Sequence, residues 1–229
     1  MWNGKKKAVT FSFDDGVTQD IRLIEILNKY GLKGTFNINS GLLGLPGTGE
    51  RNGVKYNHTK IFPSQVKELY AGHEVAVHTL THPNLTALDD ETIIWQVEED
   101  RKALEALCGY PIVGMAYPYG TTDDRVAKII ADNSPIRYSR TICNTHSFEV
   151  QKENLLAYAP TVYYIEDCLE EIVDKFLASE GEEEQLLYIW GHSYEMDAKL
   201  ISWEKFEEIC QKLSGRADIF YGTNKEVLL

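Results

Sequence analysis

The chain has little from which to build a covalent or metal-ribbon scaffold. Its four cysteines, Cys108, Cys143, Cys168 and Cys210, are widely spread and form no C-x-x-C pair. That excludes a zinc ribbon and a dithiol redox motif. They read as buried free thiols in a reducing compartment, not as a disulfide framework. No run approaches the roughly 20 apolar residues of a membrane span. The basic residues of 1–7 resemble a signal n-region. Residues 8–14 that follow are too short and too soon acidic to be its apolar core, so a cytoplasmic location is expected. Positive charge is also scarce: 23 Lys and Arg stand against 35 Asp and Glu, a net charge of -12. A nucleic-acid backbone or an anionic membrane surface would be repelled, so neither is an expected partner. Repeats, low-complexity tracts and Pro/Ser-rich linkers are missing. The 229 residues, 43% of them hydrophobic, therefore read as one domain over 1–229 with a sizeable core.

What is present is an alternation of short β-branched or aromatic runs with amphipathic segments. Strands are expected at 8–14, 34–39, 73–78, 112–117, 138–142, 155–163, 185–190 and 218–221. Thr18 is the expected cap of a helix with the stripe Leu23, Ile24, Leu27 and Tyr30, closed by Gly31. Pro63 suits the start of a short helix ending near Gly72. Asp89 or Asp90 caps a long helix through Ile93, Val97, Leu104 and Leu107 to Gly109. Thr121 or Thr122 opens a helix carrying Val126, Ile129 and Ile130. Two further stripes follow, at Leu169, Ile172, Val173 and Phe176, and at Phe206, Ile209 and Leu213. Such alternation implies a parallel α/β sheet, and about eight strand candidates favour a barrel over an open sheet. Residues 41–56, rich in glycine, read as a surface loop flanking a site.

Four motifs stand at expected strand ends. Asp14 and Asp15, followed by Gly16, can be turned by the backbone into one cavity at the edge where parallel folds bind ligands; the other reading is a helix N-cap. His78 and His82 are four apart, and Pro83 disfavours a helix at His82, so a loop could bring both imidazoles to one cation. Alone that pair is weak. Beside a second strand end bearing two carboxylates, a metal site is the better reading. Pro118-Tyr119-Gly120 gives a rigid turn with an aromatic wall, or an ordinary β-to-α turn. His192, after Trp190 and Gly191, can enter a cleft or serve as a structural histidine. His58 and His146 lie in polar stretches and are expected to be exposed, and His73 to be structural.

In that order, Phe13-Asp14-Asp15-Gly16, His78-x-x-x-His82, Pro118-Tyr119-Gly120 and the late His192 resemble the polysaccharide deacetylases, carbohydrate esterase family 4, over nearly the whole chain. The resemblance implies a distorted (β/α) barrel of about seven strands. It implies a divalent cation, usually zinc, on Asp15, His78 and His82. It makes Asp14 the general base, the Tyr119 backbone N–H an oxyanion donor and His192 the general acid. The substrate implied is an N-acetylated glycan or oligosaccharide. An O-acetyl-glycan esterase, a small cyclic-amide hydrolase and a non-catalytic metal- or carbohydrate-binding protein are the rival readings.

The chain departs from the family pattern twice. Ala116 stands where the third motif commonly begins with an arginine that pairs with the base. Around residues 158–167 there is no Trp and no clear equivalent of the Asp that tunes the acid histidine. Arg140, on the next expected strand, is the candidate to replace the arginine, its guanidinium taking both oxygens of Asp14. The alternative is a surface arginine paired with some acidic neighbour. Arg137, ahead of the strand, is a weaker candidate.

Overall fold

The computed structural model describes residues 2–181 and 183–229. Strand β1 (Lys7–Asp14) is buried at every position, as a parallel strand covered on both faces should be. In chain order follow α1 (Asp20–Lys29), β2 (Gly34–Ile38), β3 (Thr48–Arg51), β4 (Val54–Asn57), α2 (Val66–Leu69), β5 (Glu74–Val77), α3 (Asp90–Cys108), β6 (Gly114–Ala116) and α4 (Asp124–Asn133). The chain continues through β7 (Tyr138–Arg140), β8 (Val162–Tyr163), α5 (Leu169–Ala178), β9 (Gln185–Gly191), α6 (Tyr194–Asp197), α7 (Trp203–Leu213), β10 (Ile219–Tyr221) and α8 (Asn224–Leu228).

Seven strands form one parallel sheet in the order β7-β6-β5-β2-β1-β9-β8, and β10 pairs with the start of β1. The sheet curls into a half-barrel. Its two edges are drawn together by a single bridge between Arg140 and Tyr158, where the Tyr158 N–H donates to Ser139 O at 2.9 Å. The strand expected over 155–163 shrinks to β8, preceded by a helical turn over Leu155–Ala157. Pro160 lacks the N–H that a longer ladder would need.

Alternation along β1 sets the two sides of the sheet. Val9, Phe11 and Phe13 pack into the larger core under the helices. Ala8 faces a smaller aromatic cluster with Tyr138, Tyr188 and Trp190. The same inward period runs through Thr10 and Ser12 to Asp14, which stands at the strand's end.

Several local expectations are corrected. Helix α1 starts at Asp20, not from a Thr18 cap, because the Thr18 N–H donates to Thr59 O (2.9 Å) and ties that turn to the segment after β4. Asp123, not Thr121 or Thr122, caps α4: its Oδ1 accepts the Val126 N–H at 2.8 Å, while the Thr121 hydroxyl donates to Asn84. For α3 the cap is Asp89, and Gly109 closes the helix at φ +82°, a conformation open to glycine at no steric cost. Residues 41–56 are not a bare loop, because they fold into the antiparallel hairpin β3–β4. All four cysteines are free, but only Cys108 and Cys210 are buried; Cys143 is exposed and Cys168 half-buried, both in connecting segments. No helix among the described residues is long and apolar enough to cross a membrane.

Candidate active site

The C-terminal ends of several parallel strands deliver side chains to a common cavity of about 280 Å³. Asp14 ends β1, His78 follows β5, Tyr119 follows β6, Tyr163 ends β8 and His192 follows β9, while Arg140, at the end of β7, is buried behind Asp14. The turns that aim them are strained. Asp15, Thr79, His82 and Tyr119 all have positive φ, at +83°, +66°, +61° and +57°. Such angles are costly for residues other than glycine and persist where the surroundings fix them, often at functional sites. At Asp15 the reversal lets two consecutive carboxylates reach one cavity, which a continuing strand would forbid.

Asp15, His78 and His82 gather as a possible metal triad, their donor atoms all within 4.8 Å of one another. Asp15 Oδ1 lies 4.0 Å from His78 Nε2 and 3.7 Å from His82 Nε2. His78 Nδ1 is 2.8 Å from the Ala116 carbonyl, so that nitrogen carries the proton and Nε2 keeps the lone pair. Burial lowers His78 and pushes His82 down to about 4, so both rings are neutral near pH 7, the form that binds metals. Two neutral imidazoles and a carboxylate are a donor set that fits zinc.

His58, expected to be exposed, sits against this triad: its Nε2 is 3.3 Å from Asp15 Oδ2. Lys60 Nζ donates to the Asp15 carbonyl at 2.8 Å and lies 3.5 Å from Oδ1. Both residues come from the segment after β4, which the Val17–Lys60 bridge and the bond from Ile61 N–H to Gly16 O (2.9 Å) press onto the Asp15 turn. Burial pushes the Asp15 carboxyl up, but His58 and Lys60 more than offset it and hold the group well below the usual range. His146 is exposed and pairs with Glu166, and His73 is buried against Gly34 and Asn28, as a structural histidine would be.

Arg140 is fully buried, and its Nη2 hydrogen-bonds Asp14 Oδ2, so the surface-arginine alternative does not hold. The contact is made to one oxygen, not two: Asn37 Nδ2 donates to Asp14 Oδ1 at 2.8 Å, and Arg140 Nη1 turns to Thr141 O at 3.0 Å. The indole of Trp190 covers the guanidinium, with 4.5 Å from Cζ to the ring centroid. Sheet register explains the placement, since Arg140 is the parallel partner of Ala116. The arginine thus stands one strand over at the same height, and the small Ala116 leaves it room. Burial raises the Asp14 carboxyl, but Arg140, then His78 and His192, lower it further, so the net shift is downward.

His192 Nε2 is 3.9 Å from Asp14 Oδ2. Burial lowers this imidazole against the pull of Asp14, so it is neutral near pH 7. Sequence reasoning missed its neighbour Glu195, a buried side chain on α6. Glu195 accepts the His192 N–H at 3.0 Å and the Arg51 guanidinium at 3.0 Å, and Tyr163 also donates to it. Its Oε1 lies 3.3 Å from His192 Nδ1, off the line a hydrogen bond needs. The signal was an i, i+3 spacing from His192, a pattern too common to single out. No tryptophan stands in residues 158–167; Trp190 lines the cavity from β9, where it is the register partner of Tyr163 and their rings stack 4.3 Å apart at 14°. Tyr119 is 60% exposed at the cavity mouth, its ring edge-on to His82 at 4.6 Å.

A family model described as polysaccharide deacetylase matches residues 2–134. A chitooligosaccharide deacetylase of Rhizobium leguminosarum bv. trifolii is 30% identical over 117 residues, covering 50% of this chain and 47% of the relative. A peptidoglycan-N-acetylglucosamine deacetylase of Listeria monocytogenes is 28% identical over 127 residues, 54% of this chain and 24% of its own. The chain thus spans about half the length of the first relative and about a quarter of the second. The solved structure of a family 4 carbohydrate esterase from Streptomyces lividans superposes with a TM-score of 0.58 at 20% identity, covering 96% of this chain and 93% of that one. It shares the fold.

Proposed function

The chain belongs to the polysaccharide deacetylase family, and from that premise we propose that it hydrolyses the acetamido group of an N-acetylated glycan, with a divalent cation, Zn²⁺ by preference, on Asp15, His78 and His82. The observation that carries this reading is the meeting of that triad with the Arg140–Asp14 pair and with His192 at 3.9 Å. When bound, the cation supplies Lewis-acid polarisation and acidifies water. Asp14, held ionised by Arg140 and oriented by Asn37, takes a proton from the attacking water. His192 rests neutral, so the proton it gives to the leaving nitrogen is the one Asp14 has just removed. The Tyr119 backbone N–H donates to the oxyanion formed at the acetyl carbon. Glu195 holds the backbone of His192 in place.

The cavity is about 280 Å³, just below the ~300–1,000 Å³ usual for ligand pockets. An acetamido group and part of one ring fill it, so the remaining glycan lies across the exposed Tyr119 and Ile142 at its rim. The test is acetate release from chitin oligomers with and without added Zn²⁺, against acetylated xylan as a control. Zinc-dependent release from the amide substrate is expected, and it should vanish with the metal in Asp15→Ala and His78→Ala. Preference for the xylan would make the enzyme an ester hydrolase, and no turnover of either would leave only binding.

A further inference from the structure

A second cluster of imidazole, carboxylate and thiol groups lies outside the site described above and is not used by the proposed hydrolysis. His146 Nε2 is 2.6 Å from Glu166 Oε2, and Cys168 Sγ is 3.4 Å from the same oxygen. All three donor atoms lie within 4.8 Å of one another. Around a zinc-sized ion, bonds of about 2.0–2.3 Å put neighbouring donors roughly 3–4 Å apart. The observed spacing therefore needs only small side-chain shifts to fit one ion.

The backbones that carry these groups are pinned. The His146 N–H donates to Thr161 O at 2.9 Å, the Glu166 N–H to Tyr163 O at 3.0 Å, and the Cys168 carbonyl accepts from Ile172 at 2.9 Å. His146 is held at φ +52°. Glu166 is oriented from behind by Asn144, whose Oδ1 accepts the Trp190 Nε1–H at 2.7 Å. Such outer partners are what fix a ligating carboxylate. The His146 side chain is 49% exposed, which leaves an open side for entry and for water.

We propose that His146, Glu166 and Cys168 form a second cation site, for a divalent transition metal of the zinc or cobalt kind. In the metal-free arrangement an imidazole N–H and a thiol S–H converge on one carboxylate oxygen. A divalent cation replaces that convergence with a single centre: Cys168 loses its proton to solvent, and His146 binds through Nε2 with its proton on Nδ1. One thiolate and one carboxylate balance its two charges, and a neutral imidazole completes the protein's share. The sulfur sets this site apart from the triad at Asp15, His78 and His82, which has none.

Titration of the metal-free chain with Co²⁺ tests the assignment, because a thiolate-to-cobalt charge-transfer band can arise only where a cysteine is bound. The band is expected in the wild type, with a second equivalent of cobalt beyond the first site. Cys168→Ser and His146→Ala should both abolish the band and release one equivalent, with far-UV circular dichroism unchanged. Cys143→Ser should keep it. His82→Ala should keep the band and lose the other equivalent, so a failure of the deacetylase site changes the stoichiometry and leaves the band. Absence of the band in the wild type, or its survival in Cys168→Ser, overturns the proposal.

Discussion

Asp14 is only 3% exposed, a position where an unpaired carboxylate would be driven to take up a proton. The buried Arg140 reverses that tendency. Asp14→Asn is therefore expected to keep the metal and lose turnover by about 10²–10⁴-fold, the usual contribution of a general base. Steady-state kinetics beside metal analysis of the same preparation checks it, and a near-wild-type rate would remove Asp14 from the mechanism. Arg140→Gln tests the partner differently. Without the adjacent cation, burial dominates and the Asp14 pKa rises. The acid limb of the kcat/KM profile should then move to higher pH, whereas a limb that stays put would show that Arg140 does not govern the base. Removing one member of a buried pair can cost about 3–5 kcal/mol, so the profile is measured below the variant's melting temperature.

The elements around the sheet edge act through shared residues. Glu195 joins three of them: α6 carries it, the hairpin strand β3 sends Arg51 to it, and β8 sends Tyr163. Glu195→Ala leaves the His192 N–H without its acceptor and frees the hairpin tip. The expected loss in kcat is on the order of 10²-fold, the scale of a small misplacement of a reacting group. Glu195→Gln, which keeps an acceptor for that N–H, should lose less. Equal losses in the two variants would mean that the hold on the His192 N–H is not what Glu195 contributes. The hairpin explains how much here was legible. The glycines and turn residues of 41–56 marked a loop beside a site, but its strand pairing and the reach of Arg51 depend on register with a partner strand. His58 looked exposed for the same reason: its polar neighbours in sequence say nothing of the Asp15 turn against which the segment folds.

For the whole molecule, buried carboxyls govern the dependence of stability on pH. Burial pushes Asp20 and Asp100 up to about 7 and Glu195 to about 8. Each binds its proton more tightly folded than unfolded, so each adds stability that is lost as pH rises through its folded value. His73 and His82, lowered to about 4, act in the opposite sense, adding stability as pH rises from about 4 toward their ordinary 6.5. Above 6.5 these histidines fall silent and the raised carboxyls remain. The melting temperature of the metal-free chain is therefore expected to fall between pH 6.5 and pH 8.5. Asp100→Asn should flatten that fall, since it removes one titrating group; its single amide oxygen keeps an acceptor for the Ser40 N–H, and the His78 N–H retains the Ile38 carbonyl at 3.1 Å. A melting temperature that is level or rising over this range would refute the assignment.

The sequence by itself determined the alternation of strands and helices and, through four ordered motifs, which carboxylates and imidazoles stand at strand ends. Those features are local: a strand's period, a turn residue and a histidine spacing are all fixed within a few positions of chain. Only the tertiary structure decided which groups from distant segments meet. It set Arg140 beside Ala116 by register, turned Glu195 beneath His192, and folded His58 and Lys60 onto Asp15. Each of these contacts depends on how the sheet curls and how neighbouring strands align. One residue of slip would send every side chain to the opposite face, and nothing in the local pattern of either partner records that alignment.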